Sequence, residues 1–90
     1  MGWTVELTVS AERDLGRLDP PAARRILKFL RERISGSEDP RRLGHALRGP
    51  KLGSLWRYRI GDYRLLCSLE DARCVVLALR AGHRRHIYRG

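Results

Sequence analysis

Ninety residues carrying 19 basic and 10 acidic side chains give a net charge of +9, with room for one hydrophobic core and not for two. The ordinary apolar content excludes a disordered tail, and no apolar run approaches the roughly 20 residues that a membrane helix needs. So large a positive excess points to a polyanionic partner, nucleic acid first and an acidic protein second, with a merely solvated basic surface as the alternative.

Arginine supplies 17 of the 19 basic residues, and its planar fork grips phosphate through two bonds where lysine acts as a point charge. An arginine bias of the source genome would produce the same count. The start of the chain, Met1-Gly2-Trp3-Thr4-Val5-Glu6, lacks the basic-then-apolar layout of a secretion signal, so a cytoplasmic protein is expected.

Trp3, Val5, Leu7 and Val9 alternate with polar residues and predict a first strand. Ser10 suits a helix N-cap, followed by Ala11, Leu15 and Leu18 at helical spacing. Asp19-Pro20 restarts the chain with a second cap and a proline at the first helical position. Ala23, Ile26, Leu27, Leu30 and Ile34 then line one face of a helix that ends at Ser35-Gly36. Residues 36–54 read as a loop with one helical turn from Asp39-Pro40 to Leu43. Its Arg41, Arg42, Arg48 and Lys51 either extend a nucleic-acid footprint or are simply solvated.

A second strand runs from Leu55 to Ile60 and a third from Tyr63 to Leu69. Glu70-Asp71-Ala72-Arg73 turns the chain into a fourth, Cys74 to Leu79, apolar on both faces and therefore central. A short basic tail, Arg80 to Arg89, closes the chain. The whole is one domain, residues 1–90, of the α+β class in the order βααβββ, a helical hairpin on one face of a mainly antiparallel four-stranded sheet.

Within it, Trp56, Tyr58 and Ile60 alternate strictly with Arg57 and Arg59, and Gly61-Asp62 is a two-residue hairpin turn. That turn pairs Ile60 with Tyr63, sets Arg59 opposite Arg64, and sets Arg57 opposite Leu66. If the helices cover the Trp56–Tyr58–Ile60 face, then Arg57, Arg59 and Arg64 share the open one. Like charges facing each other destabilise a strand pair by about 0.2–1 kcal/mol, which suggests that an anion belongs between them. Three solvated arginines are the plainer alternative. In the tail, Arg84 and Tyr88 share a face if the segment is helical. Tyr88 then stacks on a base, accepts a proton from a ribose hydroxyl, or closes the core. His83 and His86 suit acid–base work or simple solvation, and Arg85 and Arg89 add positive charge.

Cys67 and Cys74 read as buried, reduced fillers, diagonal in the register and so not bridged. A zinc site joining them to His83 and His86 lacks recognisable ligand spacing. The carboxylates scatter over helices, turns and the first strand, which suits neither a two-metal nuclease nor a paired-carboxylate hydrolase. Any catalysis must then work without metal or cofactor, by electrostatic stabilisation of a pentacoordinate phosphate. RNA is the better substrate, because its own 2′-hydroxyl can attack the phosphate.

The runs Leu47-Arg48-Gly49, Leu55-Trp56-Arg57-Tyr58-Arg59-Ile60-Gly61-Asp62-Tyr63-Arg64-Leu65 and Gly82-His83-Arg84-Arg85-His86-Ile87-Tyr88 closely resemble the RelE toxins of the RelE/ParE superfamily of toxin–antitoxin modules. The likeness spans nearly the whole chain, including the order of elements. It implies a metal-independent, ribosome-dependent endoribonuclease that cleaves mRNA codons in the A site of the small subunit. It also implies a cognate antitoxin that neutralises the chain and alone contacts operator DNA. By position, Arg64 matches the hairpin arginine that stabilises the transition state. Arg57 and Arg59 match two basic positions, lysines in the best-known member; the resemblance further implies Arg84 as the tail arginine, an acid or phosphate contact, and Tyr88 as the tail tyrosine, a base or stacking residue. Arginine is a poorer proton donor than lysine, and the Arg84–Tyr88 spacing is shorter than in that member. Two other readings compete: a ParE-like toxin that inhibits gyrase without cutting RNA, and a non-catalytic RNA-binding module. The sequence leaves open the codon preference, the antitoxin, and the group that accepts the 2′-hydroxyl proton.

Overall fold

The computed structural model describes residues 2–47 and 55–86. Five strands form one sheet: β1 (Thr4–Leu7), β2 (His45–Ala46), β3 (Leu55–Ile60), β4 (Tyr63–Glu70) and β5 (Val75–His83), in the order β1-β5-β4-β3-β2. Only β1 and β5 run parallel; the other neighbours are antiparallel. Two helices follow β1, α1 (Val9–Arg17) and α2, which is α-helical over Pro20–Lys28 and continues as a π-helix over Phe29–Ile34. The class is α+β as expected, with one strand more: β2 lies in the stretch that reads as a loop.

β1 is shorter than its alternation predicts, and the helix start moves with it. Thr8, not Ser10, caps α1: its Oγ1 accepts from Ala11 N and donates to Leu79 O, while Thr8 N donates to Ala78 O. One residue is both the last contact of β1 with β5 and the first of the helix. Val9 therefore begins the helix, 65% exposed, instead of ending the strand.

Beyond Leu7 no strand lies beside this edge of β5 among the described residues, and α1 serves it instead. The buried Asp14 carboxylate accepts from Ala81 N at 3.0 Å and from Arg80 Nε at 2.7 Å. Burial by itself would raise the Asp14 pKa, but the Arg80 guanidinium and the Ala81 N–H outweigh it and hold the carboxyl below the usual range.

On α2, Asp19 caps only through its carbonyl, which accepts from Ala23 N; its side chain makes no cap bond. The buried stripe is Ala22, Ile26, Leu30 and Ile34, with Leu27 39% exposed. A four-residue repeat drifts about 40° per step around a helix of 3.6 residues per turn. The wider π turn, in which Ser35 N donates to Leu30 O, offsets that drift and keeps the stripe facing the sheet.

Against that stripe the sheet presents Tyr58, Ile60, Leu65, Cys67, Val76 and Ala78, all buried. Burial pushes the Cys67 thiol up to about 12, so it stays protonated. Cys74, expected in the core, is exposed: it takes the left-handed position (φ 51°) that closes the turn Asp71–Arg73 before β5. β5 lies inside the sheet between β1 and β4, and β4 is its middle strand. β5 also continues to His83, past an irregularity opposite Leu66/Cys67, so Arg80–His83 belong to the sheet instead of a tail.

Candidate functional site

The β3–β4 hairpin has the register that its alternation predicts: Ile60 opposite Tyr63, Arg59 opposite Arg64, Tyr58 opposite Leu65 and Arg57 opposite Leu66. Gly61 takes φ +60° at the first turn position while Asp62 keeps a negative φ, the pattern of a II′ turn, whose twist matches the flanking strands. Because directly opposite residues share a face, Tyr58, Ile60 and Leu65 point to the helices and Arg57, Arg59 and Arg64 to the other side.

The three arginines are not equivalent. Arg59 is exposed and Arg57 half-buried, but Arg64 is only 8% exposed and does not reach outward as an open-face patch requires. Its Nη1 donates to the carbonyls of Gly61 and Tyr63, each at 2.9 Å. Laying one guanidinium along the turn separates the like charges and gives Arg64 a fixed orientation. Arg57 Nε is the one buried side-chain nitrogen or oxygen among the described residues without a hydrogen-bond partner. Leaving such a donor unpaired costs about 1–3 kcal/mol.

The end of β5 meets the same turn. Arg84 N donates to Asp62 O at 2.8 Å, and Arg84 Nε lies 4.0 Å from Asp62 Oδ1. Arg59, Arg64 and Arg84 thus gather around Gly61-Asp62. Residues 84–86 form a turn, not a helix, and Tyr88 and Arg89 lie outside the described residues. His83 pairs with Tyr63 and meets its ring edge-on at 5.7 Å, so it stands on the helix side, away from Arg59. Its Nδ1 accepts from Arg85 N. Arg85 and His86 are exposed.

Of the basic residues before the hairpin, Arg48 and Lys51 lie outside the described residues. Arg41 is engaged elsewhere: it bonds Asp71 Oδ2 at 2.6 Å and lies between the rings of Trp3 (5.9 Å) and Trp56 (5.7 Å). Asp71 holds that guanidinium still more firmly protonated than usual. It clasps the sheet end remote from the Gly61 turn. Arg42 is exposed with no ion pair among the described residues.

His45 is absent from the sequence-based candidates because its segment reads as a loop. It is exposed and paired with Arg57 across β2–β3, on the open face. Gly44 makes the pairing possible, since a Cβ there would meet Arg57 O at 2.7 Å and the Tyr58 ring at 2.8 Å. A glycine next to a lone polar residue before the hairpin was the available signal. Among the described residues no three His, Cys, Asp or Glu side chains form a metal-binding cluster, and no helix is long and apolar enough to cross a membrane.

Residues 5–88 match the family model of the ParE toxin of the type II toxin–antitoxin system parDE. Toxin RelG of Mycobacterium tuberculosis is 37% identical over 89 residues, 99% of both chains. Among solved structures, a chain of the toxin–antitoxin complex RelBE2 from the same organism matches with a TM-score of 0.84 at 34% identity over 93% of each chain. The archaeal RelE–RelB complex of Pyrococcus horikoshii gives 0.73 at 28% identity, over 96% of this chain and 99% of that one.

Proposed function

The chain belongs to the RelE/ParE toxins of type II toxin–antitoxin systems, and from that premise we propose that it is a ribosome-dependent endoribonuclease which cuts mRNA at A-site codons in the cytoplasm. The observation that carries this reading is the cluster at the hairpin turn, Arg59 opposite Arg64 with Arg84 bonded to the same turn. Opposed guanidinium groups are unfavourable on a bare strand pair and favourable around a phosphate. Donors held in place before charge develops stabilise the pentacoordinate phosphate more than the ground state. Arg64, anchored on two carbonyls, is such a donor, and Arg57, Arg59 and Arg84 hold the strand alongside it. The substrate supplies its 2′-hydroxyl as nucleophile, so the protein's work is positioning and charge, with no cofactor required. Tyr88 would stack on a base. Arg42, Arg48, Lys51, Arg85 and Arg89 would meet rRNA, His83 and Arg41 serving the fold first.

A cognate antitoxin, acidic enough to complement a charge of +9, would cover this cluster and carry any contact with operator DNA. The M. tuberculosis and P. horikoshii relatives were solved as toxin–antitoxin complexes. Primer extension on mRNA from translating ribosomes incubated with the protein tests the reading: cuts within A-site codons are expected. Intact mRNA together with inhibited DNA supercoiling by gyrase would replace it with the gyrase-directed alternative, which the ParE description of the family favours. Intact mRNA and unaffected gyrase would leave a non-catalytic RNA-binding module.

A further inference from the structure

The cleavage proposed above needs a group to accept the 2′-hydroxyl proton, and arginine, with a pKa above about 12, is unsuited to it. Among the described residues, several other candidate acceptors are engaged elsewhere. Tyr58 and Cys67 are buried on the helix side, and His83 packs there against Tyr63. Glu6 and Glu70 are both held by Arg73, with closest approaches of 3.6 and 2.8 Å, at the sheet end remote from the Gly61 turn. His45 differs from all of them. Its partner across the strands is Arg57, so its Cβ stands about 5 Å from that of Arg57 on the same face, diagonal to Arg59.

Its place is also built. Tyr58 Oη donates to Pro40 O at 2.9 Å, which pins the turn before β2. Gly44 lies directly on Arg57 O and the Tyr58 ring, and Leu47 N donates to Leu55 O at 3.0 Å. Among the described residues, the charged groups of the elements packed against His45 are Arg57 and Arg59 of β3 and Arg41 and Arg42 of the preceding turn. Asp39, at the start of that turn, is bound to Arg41 at 3.6 Å. Arg57 Nε, buried and unpartnered among the described residues, belongs to the same corner of the sheet.

We infer that His45 is a catalytic residue, the general base of the cleavage, an assignment that rests on the endoribonuclease reading. An imidazole nitrogen of His45 takes the proton of the 2′-hydroxyl as the 2′-oxygen bonds to phosphorus. The bond from phosphorus to the 5′-oxygen breaks, and that oxygen leaves with the electron pair and takes a proton from solvent water. The imidazolium returns its proton to the resulting hydroxide. The products are a 2′,3′-cyclic phosphate and a 5′-hydroxyl, with no oxidant or reductant involved.

The test is single-turnover cleavage of mRNA on programmed ribosomes by the wild-type chain, His45→Ala and His45→Gln, measured from about pH 5 to pH 8. Both variants should cut at least about 100-fold more slowly and lose the rise of rate with pH. Added imidazole should restore part of the rate of His45→Ala alone, while co-sedimentation with ribosomes stays at the wild-type level. Unchanged rates, a retained pH profile, or a loss that tracks weaker ribosome binding would overturn the assignment. So would a pH profile abolished by Tyr88→Phe and untouched by His45→Ala. A wild-type chain that leaves mRNA intact would sink the endoribonuclease reading and this inference with it. A cutting wild type with indifferent His45 variants would sink only the inference.

Discussion

Arg64 shows how one side chain resolves a conflict visible in the pairing. Its charge faces Arg59, and two main-chain carbonyls of the turn draw the guanidinium aside. Replacing it by alanine removes those bonds from a side chain only 8% exposed, outside the apolar core cluster, and the chain should still unfold cooperatively in urea with a loss of about 1–3 kcal/mol. Cleavage and toxicity should nevertheless disappear, and a toxic Arg64→Ala chain would refute the role given to it. Asp14 contributes a pH-dependent part of the stability. Its carboxyl is held below the ordinary value by Arg80 and Ala81 against the opposing effect of burial. A lowered carboxyl contributes its stability in full above the unfolded value, near pH 4, and loses it as pH falls through the folded value. Thermal melts at about pH 2 to 5 should therefore show a shallower acid decline for Asp14→Asn than for the wild type. Equal declines would show that Asp14 is not the group responsible.

At the scale of elements, two glycines decide where strands lie. Gly61 adopts φ +60° with the Arg25 guanidinium 2.9 Å from where a Cβ would sit. Gly61→Ala should cost about 1–2 kcal/mol by chemical denaturation, from the left-handed backbone alone. Gly44→Ala should cost a comparable amount, about 1–3 kcal/mol, because the obstacle is the backbone of β3, which cannot swing aside. If His45 must face Arg57, cleavage should fall with Gly44→Ala while ribosome binding persists. A stable, fully active Gly44→Ala chain would show that β2 need not touch β3. The π segment of α2 makes the related point for a helix. Apolar residues spaced by four stay on one side only because the final turns widen.

For the molecule as a whole, the net charge of +9 makes association with RNA depend on salt. Anisotropy titrations with single-stranded RNA should give a log–log slope that falls by about 0.7 when Arg59 becomes glutamine. An unchanged slope would remove Arg59 from the phosphate contacts. Much of this molecule was legible in the sequence, since the signals involved are local. A period of two and a two-residue turn set the faces and the register of β3–β4. Proline after Asp19 set the start of α2, and the apolar run Cys74–Leu79 identified an inner strand, although Cys74 itself closes the turn before it. Only the tertiary structure decided the rest. The Asp14 carboxylate reaches Ala81 N across 67 residues and replaces the strand that β1 fails to supply. Arg84 reaches the turn at Asp62, Arg41 is claimed by Asp71, and His45 comes to Arg57. Periodicity tells a residue which way to face, and long-range hydrogen bonds and close packing determine what it meets there.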